Sequence, residues 1–383
     1  KTIKAIGPIK NLKNKLSKLS GITSGIAHTR WATHGEPTLK NTHPHFSDNL
    51  CVVHNGIIEN HSELRSFLNR KKYVFKSDTD TEVISHLLSW NYKKLGNMES
   101  ALIATSDILE GNYAIGIMSN DIKNTLYAAC KGSPLIIGKG KNHNFIASDI
   151  SPILLDTDKY ITMNDNEFAT ITPTRTIIFD KNKRTLNKKT NISRVDKKDT
   201  TLSGHKHFMH KEMHEQSRAL SDTLRGRLGM DAEESALPPT LRDALKSVQR
   251  IIFTACGTSW HACLVGRLAV EELARLGCEV ELASELRYRH PLFGPETLVI
   301  GVSQSGETAD TLAALREAQA QGSPVCSIVN VLDSSIAREA DWVLYTHAGP
   351  EIGVASTKAF ITQVALLIRV AISIAHLRGA KPE

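Results

Sequence analysis

The stretch that most limits what this chain can fold into is a strand, turn and helix near its end. Residues 297–302 are apolar and residues 309–320 amphipathic, and Val302-Ser303-Gln304-Ser305-Gly306-Glu307-Thr308 joins them. This spacing predicts a buried strand, a tight hydroxyl-rich turn and a helix. Such a turn aims orphan backbone N–H groups and the positive end of a helix at one point, and Ser303, Ser305 and Thr308 add hydroxyls. The ligand it favours is a phosphate monoester. No Gly-x-x-x-x-Gly-Lys-Ser/Thr loop occurs and no Gly-x-Gly-x-x-Gly follows a strand, which points away from a nucleotide and towards a small phosphorylated metabolite. The plainer use of the same residues is an N-capped β-α turn.

From residue 215 onward apolar runs alternate with helical ones, the pattern of an α/β doubly wound parallel sheet. Ligands of such sheets gather at the carboxyl ends of the strands. There the run 250–255 ends in a second hydroxyl-rich turn, Cys256-Gly257-Thr258-Ser259. Lys358 opens a long helix and is open to two readings, a Schiff-base amine or a helix-start lysine facing solvent or a neighbouring module; we adopt the second. The run 361–377 is interrupted by Gln363, Arg369 and His376, so it reads as an amphipathic or buried helix and not a membrane span.

The first half is built differently. Helices are expected over residues 60–71, from a cap at Asp80 to a stop at Gly96, and over 98–109, followed by short strands at 113–118, 125–129, 135–138, 145–148, 167–172 and 176–180. That order predicts an α+β sandwich. Residues 25–35 read as a strand running into a polar loop, and 50–56 as a buried strand ending in the turn pair Asn55-Gly56. Chemically, Asn55 and Gly56 offer a side-chain amide and an unhindered N–H suited to an oxyanion, Arg30 a fork for a carboxylate, and Asp80 a counter-charge for an ammonium group. Each also has a plainer use, as hairpin turn, surface ion pair and helix cap.

The net charge of +7 is concentrated in this half, where lysines crowd residues 1–19 and 181–198 with little aromatic interleaving. A solvated basic edge is expected there, with neither nucleic acid nor membrane as partner. Asn is frequent before residue 213 and then occurs once, at Asn330, while Lys gives way to Arg. That shift suggests two sources of different base composition joined near residues 211–216. Six scattered cysteines without metal or pairing spacing fit reduced thiols and a cytoplasmic location. His205, His207 and His210 share no consistent ligand spacing and no cysteine accompanies them, so they read as structural or interdomain residues, with no metal. The opening Lys1-Thr2-Ile3-Lys4 lacks both an initiator Met and an apolar signal core, which suggests a missing start and argues against secretion.

Residues 25–35, His54-Asn55-Gly56-Ile57-Ile58-Glu59-Asn60 and Ser77-Asp78-Thr79-Asp80-Thr81-Glu82 together resemble the glutaminase domain of the glutamine–fructose-6-phosphate aminotransferase family, and the resemblance spans most of the first half. Ala255 to Ser259, Ser303 to Thr308 and Glu351-Ile352-Gly353-Val354-Ala355-Ser356-Thr357-Lys358 resemble that family's first sugar-isomerase (SIS) module. The resemblance implies an N-terminal-nucleophile, glutaminase type 2 domain over residues 1–180, a linker over 181–216 and the first SIS module over 217–383. It implies that Arg30, Trp31, Thr33, His34 and Asp80 hold glutamine and that Asn55 and Gly56 form the oxyanion hole. It further implies that Ser303, Gln304, Ser305 and Thr308 hold the phosphate of fructose 6-phosphate, while Cys256, Gly257, Thr258, Ser259, Val354 and Ser356 line the sugar. The family's reaction yields glucosamine 6-phosphate and glutamate without metal or organic cofactor, in an enzyme expected to be a homodimer. Its nucleophile is a mature N-terminal cysteine, which the sequence given does not contain, and neither the second SIS module nor the isomerase acid and base appears. Cys51, in an apolar run, is expected to be an inert buried thiol, and the chain to bind glutamine without turning it over. The competing expectation is a non-catalytic, regulatory sugar-phosphate-binding protein.

Overall fold

In the computed structural model, residues 1–16, 21–30, 35–193, 197–228 and 237–379 are described. The chain divides into two compact units, Lys1–Arg194 and Val195–Glu383. The expected linker is therefore split, its first part pairing into one unit and its last part helical in the other.

The first unit opens with α1 (Ile9–Leu16), β1 (His45–Ser47) and β2 (Leu50–Ile58), then three helices, α2 (His61–Arg70), α3 (Thr81–Leu95) and α4 (Met98–Ser106). Strands β3 (Gly111–Ser119), β4 (Leu126–Lys131), β5 (Ile136–Lys139), β6 (Asn144–Ala147), β7 (Lys159–Thr162), β8 (Glu167–Ile171), β9 (Thr176–Phe179) and β10 (Asn191–Ile192) follow. They form two antiparallel sheets, ordered β1-β2-β3-β4-β8-β9 and β10-β7-β5-β6. The period-2 alternation of the first sheet explains its two packed faces. Tyr113, Ile115 and Ile117 of β3, with Tyr127 and Ala129 of β4, pack against α2, α3 and α4. Ala114, Ala128 and Cys130 point the other way and meet Ile137 and Ile161 of the second sheet. The result is a helix layer on two stacked sheets, the α+β architecture expected.

Several local expectations change. Residues 21–30 form no strand; the His28 ring instead lies 4.0 Å from that of His43, centroid to centroid. Asn55 and Gly56 do not end their strand but continue it, opposite Ala114 and Tyr113 of β3. Helix α4 stops at Ser106, and Gly111 begins β3 in place of closing the helix. Strands β1 (three residues), β7 (four) and β10 (two) were not foreseen.

The second unit contains α5 (Phe208–His214), α6 (Gln216–Leu224), α7 (Pro239–Ala244), β11 (Arg250–Ala255), α8 (Gly257–Ala269), β12 (Gly277–Leu282), α9 (Ala283–Leu286), β13 (Thr297–Ser303), α10 (Ala309–Ala320), β14 (Val325–Val329), α11 (Ser335–Glu339), β15 (Trp342–Tyr345) and α12 (Lys358–Leu377). All five strands are parallel, in the order β12-β11-β13-β14-β15. Both faces are covered, which is why the central strands β11, β13 and β14 are mostly apolar and almost wholly buried, whereas the edge strand β12 carries two glutamates. Phe253, Ile300 and Ile328 pack with α8 and α12, while Ile252, Val299 and Val325 pack with α9, α10 and α11. Helix α12 is long and apolar enough to cross a membrane, but its Leu366, Leu367, Val370 and Ile374 are core residues of the unit. Its apolar character is thus used for packing.

Gly56 shows how tightly β2 and β3 approach. Its φ is +139°, and a Cβ there would lie 2.0 Å from the Asn112 carbonyl oxygen. Gly56→Ala should therefore destabilise the first unit by about 2 kcal/mol or more, through both overlap and backbone strain. Urea unfolding checks this, and a midpoint equal to that of the parent chain contradicts it.

Candidate functional site

In the first unit Asp80 lies beside the end of β2, the strand that carries Asn55 and Gly56. Asp80 stands at the N-cap position of α3, but its side chain does not cap the helix. Its Oδ2 instead accepts from the Ile58 N–H at 2.9 Å. That bond places a 6 % exposed carboxylate beside β2, two residues beyond Gly56. Asn55 is exposed and Gly56 half-buried on the same strand. Arg30 donates to the carbonyls of Gly35, at 2.9 Å, and Glu36, at 3.3 Å. A Cβ on Gly35 would lie 3.3 Å from that of Asp78, so this loop and its arginine border the segment carrying Asp80. Trp31, Thr33 and His34 lie outside the described residues.

The support beneath Asp80 was not anticipated. Thr81 Oγ1 lies 3.1 Å from His43 Nε2 and 3.0 Å from His54 Nδ1, both imidazoles being buried. Thr79 Oγ1 lies 3.2 Å from His45 Nε2. Glu82, also buried, accepts from the N–H groups of Lys76 and Ser77 and from the Ser77 hydroxyl, at 2.6–2.8 Å. Burial acts to raise its carboxyl, but the bonds from His86, Ser77 and the backbone prevail and hold it down to about 2. Burial drives the histidines the opposite way from a charged state. His45 falls to about 4, helped by Lys4, and His28 to about 4, helped by His54 and Arg30. His43 and His54 are lowered too, burial again dominating. The signal for this cluster lay in Thr42-His43-Pro44-His45 and in a histidine inside an apolar run, patterns with no spacing rule to flag them. Cys51 is half-buried and its thiol is pushed up by burial, as an inert cysteine should be.

These shifts set a pH dependence. A histidine titrating near 6.5 when unfolded and near 4 when folded binds more protons in the unfolded state across that window, so stability rises with pH. The first unit should hold its full histidine contribution above about pH 6.5 and lose it on acidification towards pH 4, at up to about 1.4 kcal/mol per pH unit for a group such as His45. Glu82, lowered from 4.5 to about 2, acts with the same sign at more acid pH. Urea midpoints between pH 7 and 4.5 should fall, with a shallower slope in His45→Gln. A flat profile in the parent chain is the contrary result.

In the second unit, β11 and β13 are neighbours with Ala255 opposite Val302. Cys256-Gly257-Thr258-Ser259 and Ser303-Gln304-Ser305-Gly306-Glu307-Thr308 therefore leave the same edge of the sheet, at the point where strand order reverses. Neither α8 nor α10 is capped by the side chain that precedes it, Cys256 or Thr308. Both helix starts can thus offer N–H groups to an anion. The second turn is held by its own hydroxyls. Ser303 Oγ accepts from the Gly306 N–H at 3.0 Å and lies 2.9 Å from Thr308 Oγ1, and Ser305 Oγ accepts from the Glu307 N–H at 3.2 Å. Gly306 has φ +66°, and a Cβ would fall 2.0 Å from Ser334 Oγ, so only glycine fits. Gln304 accepts from the Asn330 N–H at 3.2 Å through its carbonyl.

Of the expected sugar-lining residues, Cys256 is half-buried and Gly257 and Thr258 are exposed at the start of α8. The Cys256 thiol is raised by burial, against an opposing bond from Thr311, which suits a wall better than a nucleophile. Ser259 is buried and accepts from Gln363 Nε2 at 3.0 Å, so its hydroxyl faces α12. Val354 is 86 % exposed, and the Ser356 hydroxyl donates to Glu351 at 2.9 Å. Unlike the other two helix starts, that of α12 is occupied: Glu351 Oε1 accepts from the N–H groups of Thr357 and Ala359, at 2.8 and 3.1 Å.

Lys358 corrects the sequence reading. It is wholly buried, and its Nζ donates to Glu215 Oε2 at 2.6 Å. The partner lies 143 residues away, which is why a helix-start lysine looked solvent-bound. Burial acts to raise the Glu215 carboxyl, but the bond and charge of Lys358 prevail and lower it. Lys358→Met leaves Glu215 only its longer contacts with Lys211 and Arg218, at 3.5 and 3.8 Å, and should cost about 3 kcal/mol, whereas adding Glu215→Leu should restore most of the loss. Urea unfolding of the single and double variants measures both. Equal stability of parent and single variant would show that the pair carries no weight.

Two domain families account for these two units: residues 28–155 match the glutamine amidotransferase domain and residues 244–373 the SIS domain. The chain is thus an amidotransferase domain followed by a SIS domain. Curated proteins similar to it over nearly its whole length include several glutamine–fructose-6-phosphate aminotransferases (isomerizing). That of Clostridium perfringens is 44% identical over 386 residues, covering 96% of this chain and 62% of its own. That of Methanosarcina acetivorans is 44% identical, covering 98% and 63%, and that of Pseudomonas putida 46% identical, covering 93% and 59%. By sequence the chain is a relative of these aminotransferases and spans about three-fifths of their length. Among solved structures, the C-terminal domain of glucosamine-fructose-6-phosphate aminotransferase from Francisella tularensis is 38% identical over 48% of this chain and 51% of its own, with a TM-score of 0.44.

Proposed function

We propose that the chain supplies the glutamine-binding and first sugar-phosphate-binding parts of a glutamine-dependent aminotransferase that makes glucosamine 6-phosphate and glutamate from fructose 6-phosphate and glutamine. The observation that carries this reading is the shared edge of β11 and β13, from which two hydroxyl-rich turns and two uncapped helix starts emerge, in a chain that also carries an amidotransferase domain. One phosphorylated hexose then spans both turns. Ser303, Gln304, Ser305 and Thr308 hold its phosphate through neutral donors, and Cys256, Gly257 and Thr258 border the sugar. Val354 and Ser356 approach from the loop that Glu351 organises, and Ser259 sets the start of α8 through Gln363.

At the other site, Asp80 meets the ammonium group of glutamine, Arg30 its carboxylate, and Asn55 and Gly56 the carbonyl oxygen that becomes negative during hydrolysis. Trp31, Thr33 and His34 complete that site by family resemblance. Neither Cys51 nor Cys256 is an activated thiol, since burial raises both. Ammonia released from glutamine condenses with the C2 carbonyl of the ketose with loss of water, and proton transfer from C1 to C2 turns the resulting imine into the 2-amino aldose. Six free thiols support a reducing, cytoplasmic setting. Nothing observed favours a purely regulatory sugar-phosphate protein.

Calorimetry on the 383-residue chain tests the proposal. Fructose 6-phosphate and L-glutamine should each bind, Ser303→Ala should weaken the sugar phosphate at least tenfold without altering glutamine, and Asp80→Asn should do the reverse. A chain that binds the sugar phosphate but ignores glutamine would support the regulatory alternative, and one indifferent to fructose 6-phosphate would remove the sugar site.

A further inference from the structure

The segment that leads into the second unit brings three imidazoles together. The sequence drew attention to His205, His207 and His210; the structure leaves out His207 and gathers His205, His210 and His214, with one ring nitrogen of each within 4.8 Å of the others. His205 Nδ1 and His210 Nδ1 are 3.0 Å apart. The ring centroids lie 5.1, 5.3 and 4.7 Å from one another. Two nitrogens bound to one tetrahedral ion at the usual zinc–imidazole distance would stand about 3.3 Å apart, so the trio needs little adjustment to share an ion.

The placement has a clear origin in the chain. His210 and His214 are four residues apart on α5 and share a face. Residues of α5 directed into the unit are bolted down: Lys211 Nζ donates to the carbonyls of Asp199 and Thr201, at 2.7 and 2.8 Å, and Glu212 accepts from the N–H groups of Ile352 and Gly353, at 2.6 and 3.0 Å. Two ligands therefore ride on a helix whose orientation is set by other bonds. The third arrives by a tight turn, in which Ser203 and Gly204 have positive φ and the His205 N–H donates to the Leu202 carbonyl at 2.8 Å. His205 is half-buried and the other two are exposed, so an ion could enter from solvent and keep an open position.

We propose that His205, His210 and His214 form a binding site for one divalent transition ion of the zinc, cobalt, nickel or copper class, clasping the 202–205 turn to α5. Three imidazole ligands with no carboxylate in the set select such ions over magnesium or calcium. The site is separate from the sugar-phosphate turns and does not depend on how those are read.

The test uses the untagged 383-residue chain, stripped with chelator and titrated with zinc against a chromophoric competitor, and in parallel with cobalt followed by its visible absorption. One equivalent should bind with micromolar or tighter affinity, and cobalt should show the spectrum of nitrogen ligation without a thiolate charge-transfer band. His210→Ala and His214→Ala should each weaken binding at least tenfold while leaving the circular dichroism unchanged, and His207→Ala should have no effect. The site is overturned if no equivalent binds below millimolar zinc. It is equally overturned if the His210→Ala/His214→Ala double variant binds as tightly as the parent, or if alkylating the thiols abolishes binding.

Discussion

The pairing of β11 with β13 is the constraint on which the second unit's chemistry depends. Chain order would run from β11 to β12 and onward, yet β13 returns past β12 to lie on the other side of β11. In a doubly wound sheet that return sends the helices after β11 and β13 to opposite faces, α8 to the side of α12 and α10 to the side of α9 and α11. The two helix starts thus flank a crevice instead of stacking on one side of it. A ligand at that edge meets two positive dipole ends without any lysine or arginine in either turn. Neutral donors suit a step in which substrate must leave as product, because they hold a phosphate firmly without burying a fixed countercharge.

Loops in both units are organised by a different device, a carboxylate that gathers backbone N–H groups. Glu82 collects Lys76 and Ser77, Glu212 collects Ile352 and Gly353, Glu351 collects Thr357 and Ala359, and Glu307 takes Ser335. Bonds of this kind are charge-assisted and shorter than neutral ones, so one side chain fixes several residues of irregular chain. The loop before α12 is held at both ends this way, by Glu212 at its start and Glu351 at its finish. Val354 can then stay exposed without the loop being loose.

How much of this could be read from the chain follows from the range of each interaction. The β13-turn-α10 unit was legible because strand, turn and helix are contiguous and each has its own local pattern. Parallel order and the placement of both turns at strand ends followed from alternation alone. The exact bonds did not. Glu212 reaches residues 140 and more positions away, and Lys358 finds Glu215 at 143. No periodicity encodes such pairs, so a buried lysine looked like a surface one. Asp80 was legible as an N-cap residue, yet the nearby Ile58 N–H competes for the same oxygen and wins. The histidine trio was half visible, since His210 and His214 have helical spacing, but the turn that returns His205 lies in backbone conformation and not in spacing.

The amino-acid site proposed for the first unit rests on a polar core. A carboxylate meant to meet an ammonium group must keep its charge and have no competing cation nearby. Asp80 has imidazoles around it, with His54 Nδ1 4.0 Å away. Were those rings protonated, they would neutralise the very charge the ligand needs. Burial keeps them neutral, as the lowered values of His28, His43, His45 and His54 show, and neutral rings can still bridge through Thr79 and Thr81 to position the helix that carries Asp80. Arg30, tied to the carbonyls of Gly35 and Glu36, acts in the same direction, its charge helping to keep His28, His43 and His45 unprotonated. Burial, the largest cause for each of the four rings, is what leaves the Asp80 carboxylate without a protonated imidazole beside it.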